Sequence, residues 1–225
     1  MAARTVSGEI LCLDAARRRW GSERFDVEYG DRQRVVRGVM HLEDRGLRRD
    51  NGFTIGDDGL PREGWLRDTV CGQLAMHGWY RVDGQTVEVE AWSSEGGRIS
   101  RRVDWARPIE HLGLHCLVAD VLVAQRRGPT QPGVELPAVC ATSSMRDYGL
   151  GGYGVHVLQP LVTYVGAETA RVIAGEFEAL HFRVRWSDQV PKYSDFWVHR
   201  EFFVPLRLLG ASGEVSYELA ELATG

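Results

Sequence analysis

Residues 73–94 read QLAMHGWYRVDGQTVEVEAWSS. Met76, Gly78, Tyr80 and Val82 alternate with His77, Trp79 and Arg81, and after Val82-Asp83-Gly84 the alternation resumes through Val87, Val89 and Ala91 against Glu88, Glu90 and Trp92. A period of two is the pattern of a strand with one dry face, and Asp-Gly is tight-turn chemistry, so this stretch predicts an antiparallel hairpin. The same rhythm extends in both directions. It predicts strands at 23–29, 33–43, 47–55, 63–71, 73–82, 86–93 and 98–105, joined by turns such as Tyr29-Gly30-Asp31, Asp44-Arg45-Gly46 and Asp57-Asp58-Gly59.

The rhythm changes at Pro108. Residues 109–125, IEHLGLHCLVADVLVAQ, space Leu112, Cys116, Ala119 and Val123 for a helix, predicted over 114–125 because Gly113 weakens the first turn. A Gly/Pro-rich loop, RRGPTQPGVELP at 126–137, follows. Strands resume at 138–148, 155–164, 169–174, 176–186, 195–199, 204–209 and 214–219. Twist forces twelve to fourteen antiparallel strands to curl, split or close. The expected architecture is therefore an all-β, lipocalin-like antiparallel barrel of about twelve strands, with one helix plugging or covering an end. As a single domain it divides into a first meander (1–107), the helix and Gly/Pro loop (108–137) and a second meander (138–225).

Composition sets limits on partners. The 225 residues carry 27 Lys+Arg against 31 Asp+Glu, with the cations scattered, so nucleic acid is not an expected partner. Lys192 is the only lysine and Asn51 the only asparagine, a bias of base composition more than of recognition. No run of apolar residues is long enough to span a membrane, and the charged start MAARTVSGEILCLDAARRRW does not fit a signal peptide, so the expected location is cytoplasmic. Cys12, Cys71, Cys116 and Cys140 lie far apart and form no ligand pair; in a reducing cytosol they read as small buried hydrophobes, and no metal is expected. The Gly-rich run at 149–154 lacks GK[ST] and precedes a strand, which argues against a nucleotide loop.

Candidate site residues come from parity. Phe177, Ala179, His181, Arg183 and Arg185 share one face of their strand, opposite Leu180, Phe182, Val184 and Trp186. His181 and Arg183 are thus either solvated or turned into a polar cavity. Asp195, Trp197 and His199 share a face of the next strand, so His181 and His199 could meet if the two strands pair. Tyr80 is a phenol donor and His77 a proton carrier, but they point to opposite sides. His111 and His115 stand at i, i+4 near Asp120, where His115 can point into the barrel mouth. Arg49, mid-strand on an apolar face, must pair with a carboxylate such as Asp68 or anchor a ligand; pairing is favoured.

The run GEFEALHF at 175–182, followed by Phe196-Trp197-Val198, Pro205-Leu206-Arg207 and Tyr217-Glu218-Leu219, resembles the end of the DUF3108-like barrel families, which look related in shape to lipocalins and lipoprotein carriers. The resemblance covers residues 175–219, implies architecture without an activity, and departs from the family at His199, where an acidic residue is frequent.

Together these readings predict a barrel that binds a small hydrophobic molecule, aromatic or terpenoid-like. The chain is expected to be a cofactor-independent acid–base enzyme of the lyase, isomerase, hydratase or cyclase type, or a non-catalytic carrier or sensor with the same cavity. The expected catalytic set is His181, His115, Tyr80 and Arg183. Arg49, Trp65, Trp79, Tyr148, Trp197 and His199 are expected to contact the ligand. No cofactor, nucleic acid or membrane partner is expected, and a homodimer is compatible with the reading.

Overall fold

The computed structural model describes residues 4–129, 131–187 and 192–225. Eight long strands open the chain: β1 (Arg4–Asp14), β2 (Arg19–Tyr29), β3 (Gln33–Leu42), β4 (Leu47–Gly56), β5 (Pro61–Val70), β6 (Gln73–Asp83), β7 (Thr86–Ser93) and β8 (Gly97–Asp104). After short segments β9 (His111–Gly113), α1 (Leu117–Asp120), β10 (Glu135–Pro137), β11 (Cys140–Thr142) and β12 (His156–Leu158), the long strands return as β13 (Leu161–Val172), β14 (Gly175–Arg185), β15 (Ser194–His199), β16 (Pro205–Leu209) and β17 (Val215–Thr224).

Fourteen of these strands form one antiparallel sheet in the order β10-β13-β14-β15-β16-β17-β1-β2-β3-β4-β5-β6-β7-β8. The first and last strands adjoin at its centre, Val6 opposite Thr224 and Cys12 opposite Tyr217, so the two meanders share a single ladder. Strand β1 had no counterpart among the predicted strands. Its alternation is carried by Val6, Ile10 and Cys12, all fully buried, with Gly8 interrupting the apolar positions.

One face of the sheet is dry. Val36, Phe53, Leu66, Tyr80, Val89, Phe182, Val184 and Leu206 turn onto it, and the segment 109–124 with 138–144 fills the space they surround. With β12 it forms the second sheet, β12-β11-β9, in which β11 runs parallel to β9. Gly64 lets it come close, because a Cβ there would lie 2.8 Å from Leu112 and 3.0 Å from Leu114. The interior is thus plugged by chain.

The plug differs from the predicted helix. Instead of one helix over 114–125 the chain makes strand β9, the four-residue α1 and a 3-10 run, Val121–Arg127. Burial of almost every residue from Ile109 to Ala124 leaves no polar face, and Val118, Val121 and Val123 are stiff at χ1. The first turn is held from outside: the Glu23 carboxylate accepts from the backbone N–H of Leu117 (2.9 Å) and Val118 (2.8 Å). The strand expected over 138–148 shrinks to β11, since Tyr148 and Gly149 take left-handed φ values of 55° and 69°. The pieces expected at 155–164 and 169–174 become β12 and β13, with Pro160 in the gap between them.

Candidate functional site

A cavity of about 370 Å³ remains between the plug and strands β15–β17. Leu117, Leu158, Trp186, Phe196, Leu208 and Tyr217 form its apolar walls. Asp120, His115, Thr142 and Ser144 supply its polar atoms, and Met145, Arg146 and Asp147 stand exposed at its rim. An apolar cleft with a few polar groups is the usual form of a small-molecule site.

Its polar floor is built in layers. Arg49 and Asp68, both essentially inaccessible, pair in fork geometry at 2.8 and 2.6 Å. Arg49 also donates to the backbone carbonyls of His115 (3.2 Å), Tyr148 (3.0 Å) and Gly149 (3.4 Å), fastening both cavity-lining loops to β4. The Tyr153 hydroxyl completes the Asp68 carboxylate at 3.1 Å. Arg49 is therefore committed to protein partners.

Asp120 differs from Asp68. Among the described residues its carboxyl oxygens make no hydrogen bond or ion pair. Burial, reinforced by the Glu23 carboxylate and only partly offset by Arg49, pushes it up to about 8. Glu23 itself is pushed by burial to about 7, against the pull of the Val118 and Leu117 N–H groups. His115 is driven the other way, to about 3, by burial and then by the Arg49 guanidinium. It takes a left-handed φ of 55°, and its Nε2 lies 3.1 Å from the Ser144 carbonyl, which fits the Nε2–H tautomer donating there. At neutral pH the cavity thus presents a protonated carboxyl and a neutral imidazole.

The predicted residues divide by sheet face. His115 and Tyr148 line the cavity as expected. Arg49 and Tyr80 point inward but are engaged: Arg49 pairs with Asp68, and Tyr80 donates to the Gly154 carbonyl at 2.9 Å. The other six stand on the outer face, which corrects their expected inward orientation. Trp65 and Trp79 are 43% and 39% exposed and oppose one another across β5 and β6. His181 is shielded from solvent there, not by a cavity: it stacks on Trp197 (ring centroids 4.3 Å apart) and its Nε2 lies 2.7 Å from Asp195. Arg183 donates to the same carboxylate at 3.1 Å. His199 lies opposite Ala179, two residues from the His181–Trp197 pair, so the two histidines do not meet across the ladder. His199 packs instead on Phe177 and Phe202. His111 is buried in β9, its Nε2 without a hydrogen-bond partner, and burial lowers it to about 3.

The inward face of β14 carries Leu180, Phe182 and Val184, and that apolar wall leaves the polar parity set outside. Sequence reading overlooked Glu23, Phe196 and Tyr217 as parts of the site. Their alternation was visible, but only the path of the plug shows which part of the dry face stays open.

Fold and site together define a β-barrel-like protein with a chain-plugged interior and a lateral cavity beside the plug. The chain is similar in fold to a β-barrel-like protein of the domain of unknown function DUF1849 from Brucella abortus, with a TM-score of 0.56 at 9% identity over 99% of this chain and 98% of that one. A DUF1089 family protein from Pseudomonas aeruginosa matches with a TM-score of 0.52 at 11% identity, covering 84% of this chain and 90% of that one. No protein-family model matches the sequence, and no curated protein matches it.

Proposed function

We propose that the chain binds a small, largely hydrophobic molecule in the cavity between the plug and β15–β17. The observation that carries this reading is the combination of aromatic and aliphatic walls with one inward carboxyl, Asp120, that no described residue satisfies. The cleft opens at its Met145–Asp147 rim and runs inward between core side chains, and an unpaired acid facing it costs stability unless a ligand uses it. Binding without chemistry fits best, because four groups expected to cooperate in proton transfer are scattered: His181 and Arg183 outside, Tyr80 on Gly154, and His115 alone at the cavity. The reading includes action in the cytoplasm, which the four unpaired cysteines suit.

Uptake of the neutral dye N-phenyl-1-naphthylamine tests it. Saturable fluorescence enhancement with one site per chain is expected, weakened at least tenfold by Leu208→Trp, which fills the cavity. Absence of saturable uptake refutes the reading. Native mass spectrometry of the freshly isolated protein would show any retained ligand.

A second reading, acid–base catalysis on the bound molecule, is favoured by the pairing of a protonated Asp120 with a neutral His115 at one surface. In that case Asp120 is the proton donor, in place of His181 or Tyr80.

A further inference from the structure

The polar chemistry of the cavity is lopsided. Among the described lining residues its one inward carboxyl, Asp120, faces a space walled by Tyr148, Trp186, Phe196 and Tyr217. The buried guanidinium whose charge reaches it, Arg49, is held by Asp68 at 2.6 Å and by three backbone carbonyls. Among the described lining residues the one guanidinium is that of Arg146, which stands at the exposed rim beside Asp147. Glu23, behind Asp120 and occupied with capping α1, adds negative field. The imidazole of His115 is turned to the Ser144 carbonyl. A ligand carrying its own positive charge would supply the partner this carboxylate lacks, and the surrounding rings present their electron-rich faces to a cation. A ligand carboxylate would find no inward cation among the described lining residues, and it would be repelled wherever Asp120 or Glu23 is ionised.

We propose that the cavity takes a small amphiphilic cation, an amine on an aromatic or aliphatic body, with its ammonium group against Asp120 and its body against Trp186, Phe196 and Leu208. This rests on the hydrophobic-ligand reading above and narrows it to one class of head group. Binding makes and breaks no covalent bond; where Asp120 is protonated in the free protein, its proton leaves to solvent as the ammonium docks.

Matched head-group series separate the two claims. Calorimetric titrations would compare tryptamine, tryptophol and indole-3-propionate on one body, and octylamine, 1-octanol and nonanoate on another. The amine is expected to bind about tenfold or more tighter than the alcohol in both series, with the carboxylate weakest. Asp120→Asn should erase the amine's advantage over the matched alcohol in both series, with an unchanged circular dichroism spectrum and unfolding midpoint at pH 6 as the control for folding. An alcohol or carboxylate that binds as tightly as its amine overturns the inference and leaves the hydrophobic-ligand reading standing. So does dye uptake with no binding of any of the six compounds. An amine preference that survives Asp120→Asn overturns the assignment of the carboxylate. Failure of all six compounds and the dye overturns both claims.

Discussion

Replacing Arg49 with Met keeps the side-chain volume but removes every donor that joins β4 to the cavity loops. The Asp68 carboxylate, at zero exposure, is then left with the Tyr153 hydroxyl alone, and the carbonyls of His115, Tyr148 and Gly149 lose their guanidinium partner. Stranding one member of a buried ion pair costs about 3–5 kcal/mol. Each orphaned carbonyl adds about 1 kcal/mol, the 3.4 Å contact least. A loss of about 5–7 kcal/mol is expected, comparable with the whole stability of many domains, and it should lower Tm by roughly 10–25 °C. Urea unfolding followed by tryptophan fluorescence would measure it. Adding Asp68→Leu removes the stranded charge and should recover most of the loss, because an apolar replacement of a buried pair is often neutral. A single variant costing under about 1 kcal/mol, or a double variant no better than the single, would refute the argument that this pair holds the floor of the site.

Three further expectations follow from other parts of the molecule. The raised carboxyls Glu23 (about 7) and Asp120 (about 8) favour the folded state at pH below their ordinary range, and that stability drains away as pH rises through the folded values; the lowered His111 and His115 (about 3) favour it above 6.5 and lose their share as pH falls toward 3. Tm should therefore be higher near pH 6 than at pH 8, and Asp120→Asn should flatten that decline; a Tm that rises from pH 6 to 8 contradicts the assignment. Cys71 is exposed, which corrects the expectation of four buried cysteines, while Cys12, Cys116 and Cys140 are buried, so Ellman's reagent should find one fast thiol in the native protein and four after unfolding, with Cys71→Ser abolishing the fast phase. Gly149→Ala puts a Cβ 2.3 Å from the His115 ring at a φ of 69°, which should cost about 1–3 kcal/mol in strain and weaken dye uptake; unchanged unfolding and uptake would show that the loop adapts freely.

The strand pairings around Gln73–Asp83 were legible because local alternation and Asp-Gly turns specify both the strand and its partner. The pairing of Arg49 with Asp68 was legible for a similar reason, since inward parity and the cost of a lone buried cation leave few solutions. His181 shows the limit of parity. It groups His181 with Arg183 and opposes both to Phe182, but the polar set lies outside, satisfied by Asp195 and Trp197 from the adjacent strand. Trp65 and Trp79 misled because an aromatic suits either face of a sheet.

By itself, then, the amino-acid order determined an antiparallel meander of many strands interrupted by one apolar segment, since turns and alternation are written in neighbouring residues. It did not determine that β1 and β17 meet at the centre of the sheet, that residues 109–124 run through the interior as broken turns, or that the space left over opens at Asp120. Those outcomes depend on contacts between residues a hundred or more positions apart, such as Arg49 with Gly149 and Val6 with Thr224. Packing over such distances follows from how volumes fit, which no local pattern encodes.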